Sequence, residues 1–489
     1  MPASTSQPTD SLDDGTGRLS KRAWGALLVL CGALFLDALD VSMVGVALPS
    51  IRSDLHLSTS SLQWVVSAYV LGYGGFLLLG GRAADLLGRR RVFLISLGVF
   101  VVASLLGGFA HDGNLLIATL FIKGMSAAFT APAGLSIITT TFKEGPARNK
   151  ALSVYTATGA TGFSLGLVIG GLLTEAGWRW VFFLPAPVAL IALIGGIKFV
   201  PVSERASRIG RGFDATGAVT ITAAMLLLVY TLVDAPNAGW ASLRTLASFV
   251  GAAVFLTAFV IREQRTPTPL VRLGILRSAA LVRANLAAMA LFWSWIGFQF
   301  IATLYMQQLR GWSSLDTGLA IFPAGLLVAV FSTRIAPLVM RFGVTRLIFT
   351  GMISIVAGYL LFLPIGLQSG YLASLLPTFL LAGLGFALAF GPLNIAATSG
   401  VAPEEQGLAG GLLNTSFQFG GALALAVTTA VINANTGSSG SPQAVLDGFH
   451  PALLVPVVVG VLGIVAIGTG LRSRVRSVAV SDVELAEAA

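Results

Sequence analysis

Charge is what this sequence has least of. Only 10% of its 489 residues are Asp, Glu, Lys or Arg, where a soluble domain of ordinary make-up carries about 25%. A deficit of that size, spread along nearly the whole chain, excludes a water-bounded globule. Cysteine is almost missing: the single Cys31 excludes an intrachain disulfide framework and argues against a structural zinc site. The three histidines, His56, His111 and His450, fall at the edges of predicted loops, so no histidine relay is available inside a membrane span. Acids outside the first apolar run stand singly or in loop pairs such as Glu404-Glu405. That scatter excludes the clustered carboxylates, or the nucleophile with its base, that an integral membrane enzyme needs. Neither a soluble sensor domain nor a long tail is present, which argues against a receptor. A cleavable signal peptide is not expected, because residues 1–24 are polar and the apolar run after them is too long for a signal core. The net charge of +9 is divided among short loops rather than gathered in one patch, so nucleic acid is not an expected partner.

Hydrophobic residues make up 55% of the chain. A span needs about 20 largely apolar residues to cross about 30 Å of hydrocarbon. On that basis the sequence predicts an all-α membrane protein with fourteen spans, near 25–48, 62–82, 92–110, 115–137, 151–173, 180–198, 217–234, 245–262, 283–307, 316–338, 346–366, 371–397, 407–433 and 450–471. Lys and Arg test the topology independently. With the N-terminus inside, only Arg52, Arg179, Arg244 and Arg310 fall in outside segments and only Lys123 falls within a span; all the others are cytoplasmic. This follows the positive-inside rule and places both termini in the cytoplasm. The expected division is a tail at 1–24, a six-helix bundle at 25–200, a linker with two extra helices at 201–280, a second six-helix bundle at 281–472 and a tail at 473–489.

An internal echo supports that division, since transporters are commonly built from repeated bundles. The loop after the second span reads Asp85-Leu-Leu-Gly88-Arg-Arg-Arg91, and the loop after the tenth reads Met340-Arg-Phe-Gly343-Val-Thr-Arg346. Gly88 aligns with Gly343 and Arg91 with Arg346. A second echo joins Gly162, Gly166 and Gly170 in the fifth span to Gly407 and Gly411 in the thirteenth.

The order of motifs resembles the major facilitator superfamily, and within it the fourteen-helix drug:proton antiporter branch. The first span ends in Leu39-Asp40-Val-Ser-Met-Val-Gly-Val-Ala-Leu-Pro49, similar to that branch's first-helix signature. Gly81-Arg-Ala-Ala-Asp85-Leu-Leu-Gly88-Arg89-Arg90-Arg91 looks like the superfamily's motif between its second and third helices. Gly177-Trp178-Arg179-Trp180 and Leu413-Asn414-Thr415 through Gln418 resemble the branch as well. There are two departures. Where the family's fourth helix carries an Arg and, three residues on, Gln-Gly, this chain has Leu120 and Lys123-Gly124. Where the fifth helix has Gly-Pro before its final glycines, this chain has Gly166-Leu167. Both motifs are associated with proton antiport.

Asp37 and Asp40 are the only carboxylates well inside a predicted span. Ionised carboxylates there cost several kcal/mol and mark ion pathways. Three residues apart, they share one helical face, and the pair suits proton binding near neutral pH. Lys123 and Asp40 each lie eight residues from the outer end of their predicted spans, about 12 Å deep at 1.5 Å per residue. The resemblance implies that both helices line a central cavity. Lys123 is therefore expected to pair with Asp40 and to replace the missing Arg. The resemblance also implies a conformational latch made by Gly81, Asp85, Gly88, Arg89 and Arg90 across the seam between the bundles. Gly162, Gly166, Gly170 and Gly171 suit close helix packing. Trp293, Trp295, Phe298, Gln299, Gln307, Gln308, Asn394, Asn414 and Gln418 are candidates for the wall of the substrate cavity.

These residues imply a multi-pass transporter of the bacterial plasma membrane, working as a monomer and exporting small lipophilic or cationic compounds in exchange for protons. A transporter of one dedicated metabolite with altered coupling is the alternative, favoured by Leu120 and Leu167. Neither a cofactor nor a metal is expected; the proton gradient supplies the energy.

Overall fold

The computed structural model of the chain describes residues 20–57, 59–142, 146–201, 214–266, 273–332, 334–401, 406–436 and 441–487. Among them every element is helical: α1 Lys21–Asp54, α2 Thr59–Leu87, α3 Arg89–Gly108, α4 Gly113–Thr141, α5 Pro146–Ala176, α6 Trp180–Phe183, α7 Pro185–Phe199, α8 Ala215–Ala238, α9 Leu243–Arg265, α10 Ala279–Leu304, α11 Ser314–Ser332, α12 Ile335–Phe342, α13 Val344–Phe362, α14 Leu376–Thr398, α15 Gln406–Asn435 and α16 Pro442–Glu487. Eleven helices of the described residues are long and apolar enough to cross a membrane, and two shorter apolar helices, Thr216–Leu232 and Leu315–Phe331, accompany them.

Local chemistry explains the starts and stops. Ser20, Asp112, Asp214, Ser242 and Ser278 each accept a hydrogen bond from a first-turn amide of the helix they begin, satisfying donors that no helix can pair internally. Gly88 and Gly343, the two glycines of the internal echo, both sit at breaks between helices with left-handed backbones, φ +97° and +81°. Only glycine takes such angles without strain. The run expected as one span at 180–198 is interrupted at Leu184, where Pro185 has no N–H to continue the ladder. The run expected at 316–338 divides into α11 and α12, with exposed Arg334 capping the second piece and Pro337 in its first turn. The last helix passes through residue 473, where a tail was expected, and continues to Glu487.

Helices α1–α7 pack as one group and α10–α16 as another. The first group has one core, near the N-terminal end of α1, around Leu27, Phe93, Phe100 and Ile138 and a second, nearer its C-terminal end, around Met43, Leu116, Leu120 and Phe182. The second has one continuous core that includes Leu291, Phe298, Tyr305 and Tyr359. The α8–α9 hairpin lies against both: Ala218, Ile221, Met225 and Phe259 pack on Leu78 and Leu79 of α2 and on Leu408 and Phe419 of α15.

Without a hydrophobic driving force between helices in lipid, small residues that let backbones approach hold such groups together. The α5 glycines do this against α1. A side chain at Gly162 would meet the Phe35 carbonyl at 2.5 Å, and one at Gly170 would meet Met43 Cα at 2.8 Å. Gly166 sits between them against Leu39 and Ser42. Gly171 faces the other group, at Leu315 of α11.

Candidate functional site

Lys123 of α4 and Asp40 of α1 are both completely buried, and Lys123 Nζ donates to Asp40 Oδ1. The packing around α4 sets this up. Gly124, the next residue, presses against the Tyr69 backbone of α2 where no larger residue fits. Its neighbour Lys123 is thereby turned towards α1. The second oxygen, Asp40 Oδ2, is buried without a hydrogen-bond partner. Two opposite charges in a medium of low dielectric attract strongly, yet each has lost its hydration, so removing either one alone strands the other at a cost of about 3–5 kcal/mol. Asp37, three residues before Asp40 and half-buried, lies within electrostatic reach of Asp40 and Lys123. Tyr69 and Tyr73 of α2, stacked with ring centroids 6.1 Å apart, stand on its side.

The two departures from the family pattern have structural counterparts. Leu120, where an Arg would stand, is 1% exposed and belongs to the apolar core around Met43 and Phe182. The cation is supplied three residues later by Lys123. Leu167, where a Pro would stand, is half-buried and meets α11 at Gly318, with only 3.3 Å between its backbone and the place a side chain there would start.

Of the expected latch, Gly81 is buried in α2 and Gly88 makes the left-handed break before α3. The side chain of Asp85 lies outside the described residues. Arg89 and Arg90 are half-buried at the start of α3. Arg90 Nη2 donates to the Ile197 carbonyl at 2.5 Å, in the last turn of α7. This bond runs within the first group, between α3 and α7. The φ of Gly88 turns the chain so that Arg90 meets the carbonyl-rich end of α7, where a cation is favoured.

The expected cavity residues do not share one environment. Phe298 is a core residue, 2% exposed, stacked on Tyr359 at 4.3 Å and edge-on to Phe362 at 5.1 Å; its side of α10 faces α13. Trp295 packs on Phe386 at 4.7 Å. Trp293 and Gln299 are half-buried, and Trp293 Nε1 and Gln299 Oε1 are buried without hydrogen-bond partners. Asn394 and Asn414 each donate back to their own helix, to the Phe390 and Gly410 carbonyls at 2.9 and 3.0 Å. Gln418 is half-buried on α15. Gln307 and Gln308 lie in a π-helical turn, Tyr305–Leu309, half-buried and exposed respectively. Four aromatics that sequence reasoning missed join Trp295: Phe292, Phe386, Phe390 and Phe417. Phe292 lies 4.5 Å from Phe417, and Phe390 lies 5.1 Å from both Phe386 and Phe417. Their one signal is Phe386 and Phe390 four residues apart on α14.

At the C-terminal end of α1, Asp54 accepts from Trp178 Nε1 at 2.9 Å and from Arg179 Nη1 at 2.8 Å. Arg179 also lies over the Trp178 ring, 4.4 Å from its centroid. The Gly177-Trp-Arg-Trp motif therefore ties the end of α1 to the α5–α6 connection. Hydrogen bonds from Trp178 and Arg179 hold the Asp54 carboxyl below the usual aspartate range.

Comparison with known proteins places this architecture. The family profile described as Major Facilitator Superfamily matches residues 30–425. The chain belongs to the Major Facilitator Superfamily. The puromycin resistance protein pur8 of Streptomyces alboniger is 37% identical over 461 residues, covering 91% of this chain and 90% of that protein. The cephamycin export protein CmcT of Amycolatopsis lactamdurans is 36% identical over 468 residues, covering 94% and 96%. The crystal structure of the human organic anion transporter MFSD10 (TETRAN) matches the fold with a TM-score of 0.65 at 18% identity, over 92% of this chain and 100% of that one. The protein is thus a multi-pass helical membrane transporter of this superfamily, as its motif order implied.

Proposed function

We propose that this superfamily member is a proton-coupled exporter of small lipophilic or cationic compounds, with antibiotics among its substrates, and that Asp40, Lys123 and Asp37 couple proton movement to transport. The observation that carries the reading is the fully buried Lys123–Asp40 ion pair. A neutral lipophilic pore has no need of a desolvated charge pair, whereas an antiporter needs a carboxylate whose partner can be exchanged for a proton. In this reading Asp37, half-buried beside Tyr69 and Tyr73, takes the proton from the cavity side. Protonation of Asp40 then releases Lys123, and the two states differ in how α1 and α4 hold together. The glycine contact of α5 on α1 lets α1 shift without a change of side-chain packing. The aromatic group around Phe292 and Phe390 supplies a wall for stacking and cation–π contact with a lipophilic substrate.

The same reading takes the chain as fourteen spans with both ends in the cytoplasm, two six-helix bundles joined by the α8–α9 pair, acting as a monomer and drawing only on the proton gradient. Puromycin and cephamycin, named for two relatives, support a narrower version in which one natural antibiotic is the dedicated substrate.

The test is growth of a host lacking its own efflux pumps on a panel that includes puromycin, cephamycins, dyes and lipophilic cations. Wild-type protein is expected to confer resistance that Asp40→Asn abolishes at equal expression. Resistance that survives Asp40→Asn removes Asp40 from the coupling role. A wild type that protects against a single compound selects the dedicated transporter.

A further inference from the structure

Lys123 makes one hydrogen bond, to Asp40, and among the described residues no other oxygen accepts from it. An ammonium has three protons, and this hydrogen bond uses one of them. Aromatic rings flank it on two sides. Its Nζ stands 5.0 Å from the Phe100 centroid and 4.9 Å from the Phe182 centroid, inside the 6 Å within which a ring face attracts a cation. The slot is held in place from several directions. Ser104 of α3 donates to the Phe182 carbonyl at 2.8 Å. Trp178 meets the Phe182 ring edge-on at 5.8 Å. Gly107 leaves the room that ring occupies, since a side chain there would begin 2.7 Å from Phe182 Cδ1.

We propose that Phe100 and Phe182 form a cation seat that keeps Lys123 in place and charged while Asp40 is protonated, making them positioning residues for the coupling step. The inference rests on the reading of Asp40 as the coupling carboxylate. When Asp40 takes up a proton, Lys123 loses its only anionic hydrogen-bond partner, and the two ring faces are what remain to stabilise the charge. A seat of this kind lets the carboxylate change protonation without stranding the amine. A second carboxylate in the same place would instead compete with Asp40 for Lys123. The other titratable groups facing the pair are Asp37 of α1 and Tyr69 of α2, with Tyr73 of α2 and Tyr155 of α5 reaching Asp37. From α3 between Val92 and Gly108, and from α6, nothing titratable contributes; those elements supply the rings.

The test reads the carboxyl directly, so no substrate is needed. The infrared carbonyl band of protonated Asp40, identified by its loss in Asp40→Asn, is followed against pH in the purified full-length protein. Phe182→Leu and Phe100→Leu are each expected to lower the proton affinity of Asp40 at least about threefold, moving its midpoint to more acid pH, because Lys123 leans on the ring faces more fully once Asp40 is neutral than while it is held in the ion pair. Phe182→Tyr, which keeps a ring, is expected to restore the wild-type midpoint. If Phe182→Leu and Phe100→Leu both keep the wild-type midpoint while Asp40→Asn still abolishes proton-driven transport, the seat is wrong and the coupling reading stands. If Asp40→Asn transports with an unchanged pH profile, the coupling reading fails and the seat falls with it. Should Phe182→Leu fail to fold, Phe100→Leu alone decides by the same midpoint.

Discussion

The two halves of this transporter solve the same packing problem with opposite chemistry. In α1–α7 the membrane interior holds charge: Asp37, Asp40 and Lys123, with tyrosines beside them. In α10–α16 the interior holds rings, with Phe292, Trp295, Phe386, Phe390 and Phe417 in contact with one another. Charge in a low-dielectric interior is specific and costly. Ring contact is tolerant of shape and worth about 0.5–1.5 kcal/mol per pair beyond burial. On the proposed reading labour is divided, with the first half responding to protons and the second to the shape and polarisability of the cargo.

That comparison can be broken most severely at the ion pair. Asp40→Asn or Lys123→Gln alone is expected to lower stability by about 3–5 kcal/mol, while the double variant recovers most of it and still fails to couple transport to a proton gradient. Thermal unfolding in detergent, together with proton-driven uptake of puromycin in vesicles, separates the two effects. Equal losses in the single and double variants would show that the pair is not energetically linked. A smaller change sharpens the contrast from the other side. Phe390→Leu keeps an apolar side chain of similar reach, so a cost below about 1.5 kcal/mol is expected, with an altered ranking of substrates and an unmoved pH profile in a resistance panel. A shifted pH profile would undo the proposed separation of the halves. The smallest effect is expected at the clasp of Asp54, Trp178 and Arg179. The carboxyl of Asp54 titrates below the ordinary aspartate value in the folded protein, so its contribution is complete above about pH 4 and fades as pH falls through the lowered folded value. Asp54→Asn should therefore differ from wild type at neutral pH and converge with it in acid, as followed by thermal unfolding at several pH values.

Depth in the membrane was readable from the sequence; rotation was not. Lys123 and Asp40 were placed at one level because helical rise converts residue count directly into distance, and the structure brings them together. Phe100 and Phe182 around Lys123 could not be foreseen. They lie on helices apolar all round, where no polar contrast marks which face points where. The same limit explains Phe298, read as a cavity wall and found in the core, and the aromatic group at Phe292, which was passed over. The partner of Arg90 depended on a single backbone angle at Gly88 that residue type permits but does not specify. The departures at Leu120 and Leu167 were visible as letters, yet only packing shows that one joins a core and the other meets α11.

The ion pair also has a history within each molecule. Its two members are 83 residues apart, so α1 has left the ribosome and reached the membrane while α4 is still being made. A lone Asp or Lys at the centre of a span costs about 2.5–3.5 kcal/mol to insert. The first helix is apolar enough to outweigh that cost by itself, so it carries an unpaired carboxylate until the helix bearing the amine arrives. The order of synthesis is then part of how this half assembles, and the charge proposed to serve the cycle also draws α4 to α1.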